Sequence, residues 1–399
     1  MAMSSSRRQM TRREATGQIS GALTAAFLAQ SCARDAETEL GMTDLVEGVE
    51  ADTKDYLPNP LLFSDEKPVV AITQVPPRKT KREGIDFAVR EAIDLLGGMA
   101  EIARDKERVL IKPNLVNSTA ADTTAPEVVE ALVKLMNEAG RDVRIGEGAA
   151  AASPNVRRLW KGFVCRTKDA ETLNGIQDEV FDELGFRDLS ERMKVRLVNL
   201  HVGDMVRYAI PDNYIFRDIF LHSELHDADL VCSVPMMKTH GLAGVTLSMK
   251  NFIGAYPGQV YGTVRSRVHQ VASHVEPSGT ASAIVDIVKA TRVGLSVIDA
   301  STAMQAQGPS TSMGGELVEM GLIVAGRNAL ATDMVGAYVM GFEPEEISTF
   351  EWAWKAGMRP SRLDEIEVRG KRLETARRPF KRAVVVPYRE ISPWYGPAC

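Results

Sequence analysis

Cysteine is scarce in this chain. Four occur among 399 residues, standing apart as Cys32, Cys165, Cys232 and Cys399. With no C-x-x-C, iron–sulfur clusters and structural zinc lack their usual thiolate spacing, and no iron–sulfur cluster is expected. An excess of positive charge is also lacking: 48 Lys and Arg against 53 Asp and Glu leave a formal net charge of −5. No overall basic field therefore draws the protein to nucleic acid. No apolar run reaches the length needed to span a bilayer, which leaves a lipid group as the one membrane attachment to consider. Histidine is confined, with all six between His201 and His274. What is present is ordinary globular material, 44% hydrophobic and 25% charged. A chain this long is expected to form two α/β lobes or one large domain with an insertion.

The first 32 residues read as an export signal. "SSSRRQMTRREATGQ" carries Arg7, Arg8, Arg12 and Arg13, "ISGALTAAFLA" is mildly apolar, and small residues precede Cys32. Basic, apolar, small is the order of a secretory leader, and the paired arginines are twin-arginine-like. This predicts export through the twin-arginine machinery to the periplasm or cell envelope, with Cys32 open to lipidation. A disordered leader on a cytoplasmic protein is the alternative. Residues 33–66 are acidic, end in prolines and read as a linker.

From 67 to 399 the chain reads as an α/β body. "VVAITQV" (69–75), "RVLIKPNLV" (108–116), "DVRIGEG" (142–148), "ADLVCSV" (228–234), "GLSVIDA" (294–300) and "GLIVAGR" (321–327) are compact strand-like runs. Between them lie helical stripes: one over 85–103, with Phe87, Ala88, Ala92, Leu95 and Leu96 as its apolar positions, and others over 126–140, 281–292 and 328–341. Strand and helix alternate, which predicts a mainly parallel sheet with flanking helices. Over 150–228 the pattern blurs, as an insertion or second-lobe segment would.

In such sheets ligands bind beyond the carboxyl ends of the strands. Polar residues gather there: Lys112 and Asn114, Glu147, Lys238 and His240, and Asp299. The densest stretch is "KTHGLAGVTLSMKNFIG" (238–254). Gly241, Gly244 and Gly254 let backbone amides approach a ligand, Lys238 and Lys250 supply positive charge, and His240 is the titratable group. The expected ligand is a small anion, carboxylate or phosphate. His222 and His226 have metal-capable i, i+4 spacing but charged neighbours, so with His201 they are read as surface residues. His269 and His274 follow the glycine loop and are the better candidates.

"VLIKPNLV", "TTAPEVVEALV", "VRIGEG", "ADLVCSVPMMKTHGLAGVTLSMKNFIGAYPG", "IDASTAMQAQGPS" and "LIVAGRNALATDMVGA" occur in this order across residues 69–345. They resemble the domain of unknown function 362 family. Members often carry a twin-arginine leader, and some carry ferredoxin-type cysteines that this chain lacks. A more distant resemblance links the stretch to the P-H-x-x-A-G-x-[ST]-x-x-x-K segment of the nickel-pincer lactate racemase family, through His240, Ala243, Gly244, Thr246 and Lys250. That resemblance implies Lys250 as a cofactor tether, His240 as acid/base and His269 as a metal ligand. Thr239, Leu247, Ser248 and Met249 depart from its pattern.

The expected site thus comprises His240, Lys250 and Lys238 as catalytic groups. Lys112, Asn114, Glu147, Gly241, Gly244, Thr246, Asn251 and Asp299 are the binding groups, and His269 is a candidate ligand for a transition metal or tethered metal cofactor. Two functions remain. One is a small-molecule enzyme using proton or hydride transfer, isomerase- or oxidoreductase-like; the other is a non-catalytic envelope protein holding an anionic ligand or cofactor.

Overall fold

A computed structural model describes residues 49–151, 168–262, 268, 272 and 279–384. The proposed leader with Cys32, the start of the acidic segment, His269 and His274 lie outside the described residues.

The β-branched runs form strands, and the apolar stripes cover them. In chain order the strands are β1 (Asp52–Lys54), β2 (Val69–Gln74), β3 (Arg108–Pro113), β4 (Asp142–Glu147), β5 (Arg196–Asn199), β6 (Met205–Ala209), β7 (Asp218–His222), β8 (Leu230–Val234), β9 (Met236–His240), β10 (Gly244–Thr246), β11 (Val293–Ala306), β12 (Gly315–Gly326) and β13 (Glu367–Gly370). The main sheet runs β13-β2-β12-β11-β8-β3-β4-β5, with the β9–β10 hairpin attached to β11. Its centre, from β11 through β8, β3 and β4 to β5, is parallel, while β12 runs antiparallel to both neighbours. The mainly parallel α/β sheet expected from the sequence is therefore present.

Helices α1 (Lys81–Leu95), α2 (Pro126–Glu138), α3 (Ala170–Glu183) and α4 (Phe186–Met193) precede the hairpin. After it come the single turn α5 (Ser248–Asn251), α6 (Gly279–Thr291) and α7 (Ala329–Val339). Two cores result, one on each sheet face. Val109, Ile111, Val143, Ile145 and Cys232 join α1 and α2, whereas Leu110, Val231, Ile298 and Val324 join α5, α6 and α7.

Two details differ from the sequence reading. Helix α1 buries Ile85, Ala88, Val89, Ala92 and Ile93, while Phe87 is 46% exposed beneath the Lys79 ammonium. The stripe is turned because α1 must meet both the sheet and α2. The acidic segment is also more than a linker in its second half. Strand β1 joins a small sheet of order β1-β6-β7, Leu62 is fully buried, and Asn59 Nδ2 donates to the Val293 carbonyl at 2.8 Å. This sheet, with α3 and α4, accounts for much of the stretch where strand–helix alternation blurred.

Candidate functional site

Strand β8 ends at Val234, and the chain turns at once into the β9–β10 hairpin. Its register pairs Lys238 with Thr246, Thr239 with Val245 and His240 with Gly244. Side chains alternate along a strand, so Lys238, His240 and Thr246 share one hairpin face while Met237 and Val245 point into the core. Gly244 adopts φ +74°, the left-handed region that closes this tight loop.

Lys238 is fully buried. Its Nζ donates to the carbonyl oxygens of Asp122 and, at 3.4 Å, Pro309. Among the described residues no carboxylate is ion-paired with it. The Asp122 carboxylate is instead held by Ser310 Oγ at 2.6 Å, Thr311 N at 2.8 Å and Asn117 Nδ2 at 2.9 Å. Burial would raise the Asp122 carboxyl, but these hydrogen bonds outweigh it and leave the pKa below its ordinary value. For Lys238 burial dominates. The fields of Asp122 and Glu147 support the charge and that of Lys250 opposes it, and the amine comes down to about 7.

A stability prediction follows. Between pH 7 and 10.5 the unfolded chain holds a proton on this lysine that the folded chain does not, so stability rises with pH across that window. The rise is at most about 1.4 kcal/mol per pH unit. Urea unfolding of Lys238→Met should show a flatter dependence there than the parent. Parallel curves would mean that the amine stays charged.

His240 is 6% exposed, and its Nδ1 accepts the Leu242 N–H at 3.0 Å. The neutral ring therefore carries its proton on Nε2, which is a donor position. Of the acid/base role expected from the sequence, this contact favours the hydrogen-bond donor, the acid, over the base. A base at Nε2 would need the other tautomer, which the Leu242 contact opposes.

Beneath the hairpin lies a polar row. Lys112, Ser233 and Ser296 are register partners across β3, β8 and β11 on one sheet face. The turn α5 sits on this row. Ser248 Oγ meets Ser296 Oγ at 2.6 Å, Ser233 Oγ donates to the Ser248 carbonyl at 3.0 Å, and Asn251 Nδ2 reaches the Lys112 carbonyl at 2.9 Å. Asp333 on α7 accepts the N–H groups of Ser248 at 2.7 Å and Met249 at 2.8 Å. Burial pushes this carboxyl up to about 8 despite those two donors. Lys250 is the one residue of the turn that is not buried. The network therefore works as a rigid mount for the Lys250 segment.

Lys112 and Glu147 form a buried ion pair at 2.7 Å, with Asn251 Oδ1 accepting from Lys112 Nζ at 3.2 Å. Glu147 also accepts from Leu115 N at 2.8 Å and Gly148 N at 2.7 Å. Gly254 closes over the pair, since a Cβ there would lie 2.7 Å from both Glu147 Oε1 and Lys112 Nζ. Gly254→Ala should therefore destabilise the fold by about 1–3 kcal/mol through overpacking. Denaturant titration checks this, and an unchanged midpoint would refute the close approach.

Other expected residues are placed differently. Asp299 caps structure, accepting Ala125 N at 2.9 Å just ahead of α2 and Ser301 Oγ at 2.6 Å, and burial raises its carboxyl. Asn114 follows β3, and its Oδ1 is buried without a partner among the described residues, as is Thr246 Oγ1. His201 and His222 are not surface residues; they are 1% and 7% exposed. His201 Nδ1 accepts Gly258 N at 3.2 Å and Nε2 meets the Ala149 carbonyl at 2.7 Å. His222 Nδ1 caps the short helix Ser223–Asp227 through Glu224 N at 3.1 Å, and Nε2 meets the Val202 carbonyl.

Among the described residues no three His, Cys, Asp or Glu side chains form a group that could hold a metal ion. Leu247, Ser248 and Met249, beside Lys250, are fully packed. Among the described residues this packing leaves no ligand set for a resident metal beside Lys250.

Asp122, Ser233, Ser296 and Asp333 are functional-site residues that the sequence pattern does not single out. For Ser233, Ser296 and Asp333 the available signal is a lone serine or acid inside an otherwise apolar strand or helix, which needs a buried partner, whereas Asp122 ends a short turn in a polar loop and carries no such signal.

The family model described as Domain of unknown function (DUF362) matches residues 109–338. A thylakoid-associated protein of Synechocystis sp. is 27% identical over 277 residues, covering 69% of this chain and 75% of that protein. Among solved structures, the lactate racemase apoprotein from Thermoanaerobacterium thermosaccharolyticum is similar at 14% identity and a TM-score of 0.39, covering 71% of this chain and 58% of that one. A Thermotoga maritima protein is similar at 14% identity and a TM-score of 0.33, covering 56% and 51%. The chain thus spans little more than half of those solved chains, and neither likeness bears on its chemistry. Among the described residues no helix is long and apolar enough to cross a membrane.

Proposed function

Because this chain belongs to the domain of unknown function 362 family, whose name assigns no reaction, we propose a function from its own side chains. The protein is a small-molecule enzyme that binds an anionic substrate at the β9–β10 hairpin and transfers a proton. One observation carries this: a lysine buried on backbone carbonyls, with no carboxylate paired to it among the described residues, shares a hairpin face with a histidine whose Nδ1 accepts a backbone N–H. A site that only binds anions needs neither feature.

The roles divide by chemistry. Lys250, held on its mount, attracts the carboxylate or phosphate. His240 Nε2–H donates to a substrate oxygen that gains negative charge, as a neutral imidazole can. Lys238 is the group able to take a proton near pH 7. Thr246 Oγ1, opposite Lys238, offers a buried hydroxyl with no partner among the described residues.

The test is a screen of carboxylates and phosphate esters with the full chain in deuterium oxide, followed by proton NMR. At least one compound should exchange a carbon-bound proton or be converted, and Lys238→Met should stop it. A compound that stabilises the protein thermally, yet is never exchanged or converted, would favour the non-catalytic envelope binder instead.

Location belongs to the same proposal. The arginine pairs motivate export, and the thylakoid association of a relative is compatible with an envelope role. Replacing Arg12 and Arg13 by lysine should leave the protein in the cytoplasm of a host with a twin-arginine system. Unchanged envelope localisation would refute that route.

A further inference from the structure

We propose that Lys238 is a Schiff-base lysine whose amine captures the carbonyl carbon of an aldehyde or ketone bearing a carboxylate or phosphate. This rests on the site reading above and adds a covalent step and a substrate class to it.

The contacts of the amine carry the argument. A neutral amine has two hydrogens and one lone pair. Two backbone carbonyls, of Asp122 and Pro309, face the nitrogen and can take both hydrogens. The lone pair is left unused, because no side-chain donor bonds to Lys238 among the described residues. A structural lysine is normally paired with a carboxylate when fully buried, as Lys112 is with Glu147. Lys238 is equally buried and has no such pair among the described residues. Desolvation beside a second cation is the arrangement that activates amines for carbonyl capture, and Lys250 supplies that cation.

Two neighbours fit the reacting group. Thr246 Oγ1 lies across the hairpin from Lys238, is buried and has no partner among the described residues. An orphaned buried hydroxyl marks a place for a polar atom from elsewhere. His240 Nε2–H, on the same face, suits the carbonyl oxygen as it becomes an alkoxide.

The step balances without an oxidant or reductant. The nitrogen lone pair forms the C–N bond while the carbonyl π bond opens onto oxygen. One amine proton passes to that oxygen, giving the carbinolamine. The second amine proton and the hydroxyl then leave as water, and the imine remains. In these transfers the amine hydrogens leave their hydrogen bonds to the Asp122 and Pro309 carbonyls.

Reductive trapping tests this directly. The full-length chain would be incubated near neutral pH with glyoxylate, pyruvate or glyceraldehyde 3-phosphate and with cyanoborohydride, then digested and mapped by peptide mass spectrometry. The expected result is a reduced adduct on the Lys238 peptide, exceeding that on any other lysine by about tenfold or more, since each unit of lowered pKa gives about tenfold more neutral amine. Acetaldehyde, which lacks the anionic group, should label Lys238 less. Because the adduct is located on the unaltered protein, a variant that fails to fold does not affect the result. Adducts on surface lysines with none on Lys238, for all three anionic probes, would overturn the proposal. If deuterium exchange still required Lys238 in that case, the lysine would be a proton carrier and not a nucleophile, and the function proposed above would stand without the covalent step.

Discussion

Lys112→Met should lower stability by about 3–5 kcal/mol, the largest loss expected from any single change in the site. The pair it breaks is buried on both sides, with Lys112 at 0% and Glu147 at 2% side-chain exposure. Removing the cation strands the Glu147 carboxylate beneath Gly254 and α5, where water cannot replace the ammonium. Glu147→Gln should cost less, because its amide oxygen can still accept Leu115 N or Gly148 N. Changing both residues to apolar ones should recover part of the loss, since no charge is then left alone. Denaturant unfolding of the two single variants and the double variant measures this. If Lys112→Met loses under about 1 kcal/mol, the pair behaves as a surface one and the packing described for it is wrong.

The second large effect concerns turnover. Once a substrate is identified by exchange or conversion, His240→Phe should reduce kcat by about 10²–10³, the usual loss when a donor to a developing oxyanion is removed. His240→Gln keeps an N–H donor and should retain part of the activity. A base would behave differently, because glutamine cannot titrate and the two variants would then be equally inactive. The comparison decides between the donor that the Leu242 contact implies and the base half of the acid/base role expected from sequence. A further check is KM, which should change little in either variant if His240 acts mainly on the transition state.

Much of this site could be read in the sequence because its parts are local. The strand "ADLVCSV", the lysine and histidine two residues apart, and the glycines around them lie within one short segment. Alternation along a strand then fixes which side chains share a face. The polar row was not readable for the opposite reason. Lys112, Ser233 and Ser296 meet only through the register of β3, β8 and β11, which no local pattern records. Lys238 is bonded to backbone carbonyls, and every residue type presents the same carbonyl, so composition could not single out Asp122 or Pro309. Asp299 misled for a related reason. An acid at a strand end looks the same in sequence whether it meets a ligand or, as here, the start of α2. His222 shows a similar limit, since its charged neighbours suggest exposure, yet its ring, like that of His201, fills a buried position.

The central claim is that the Lys238–His240 face receives an anionic ligand, and His240 reports on it directly. With only six histidines in the chain, ring-nitrogen NMR of histidine-labelled protein can assign each by substitution. In the free protein His240 should show the Nε2–H tautomer, and its Nε2 signal should shift saturably with a carboxylate or phosphate that also raises the melting temperature. Lys250→Met should weaken that titration. If ligands that stabilise the protein leave the His240 signal unmoved, the ligand site lies elsewhere and the account is contradicted.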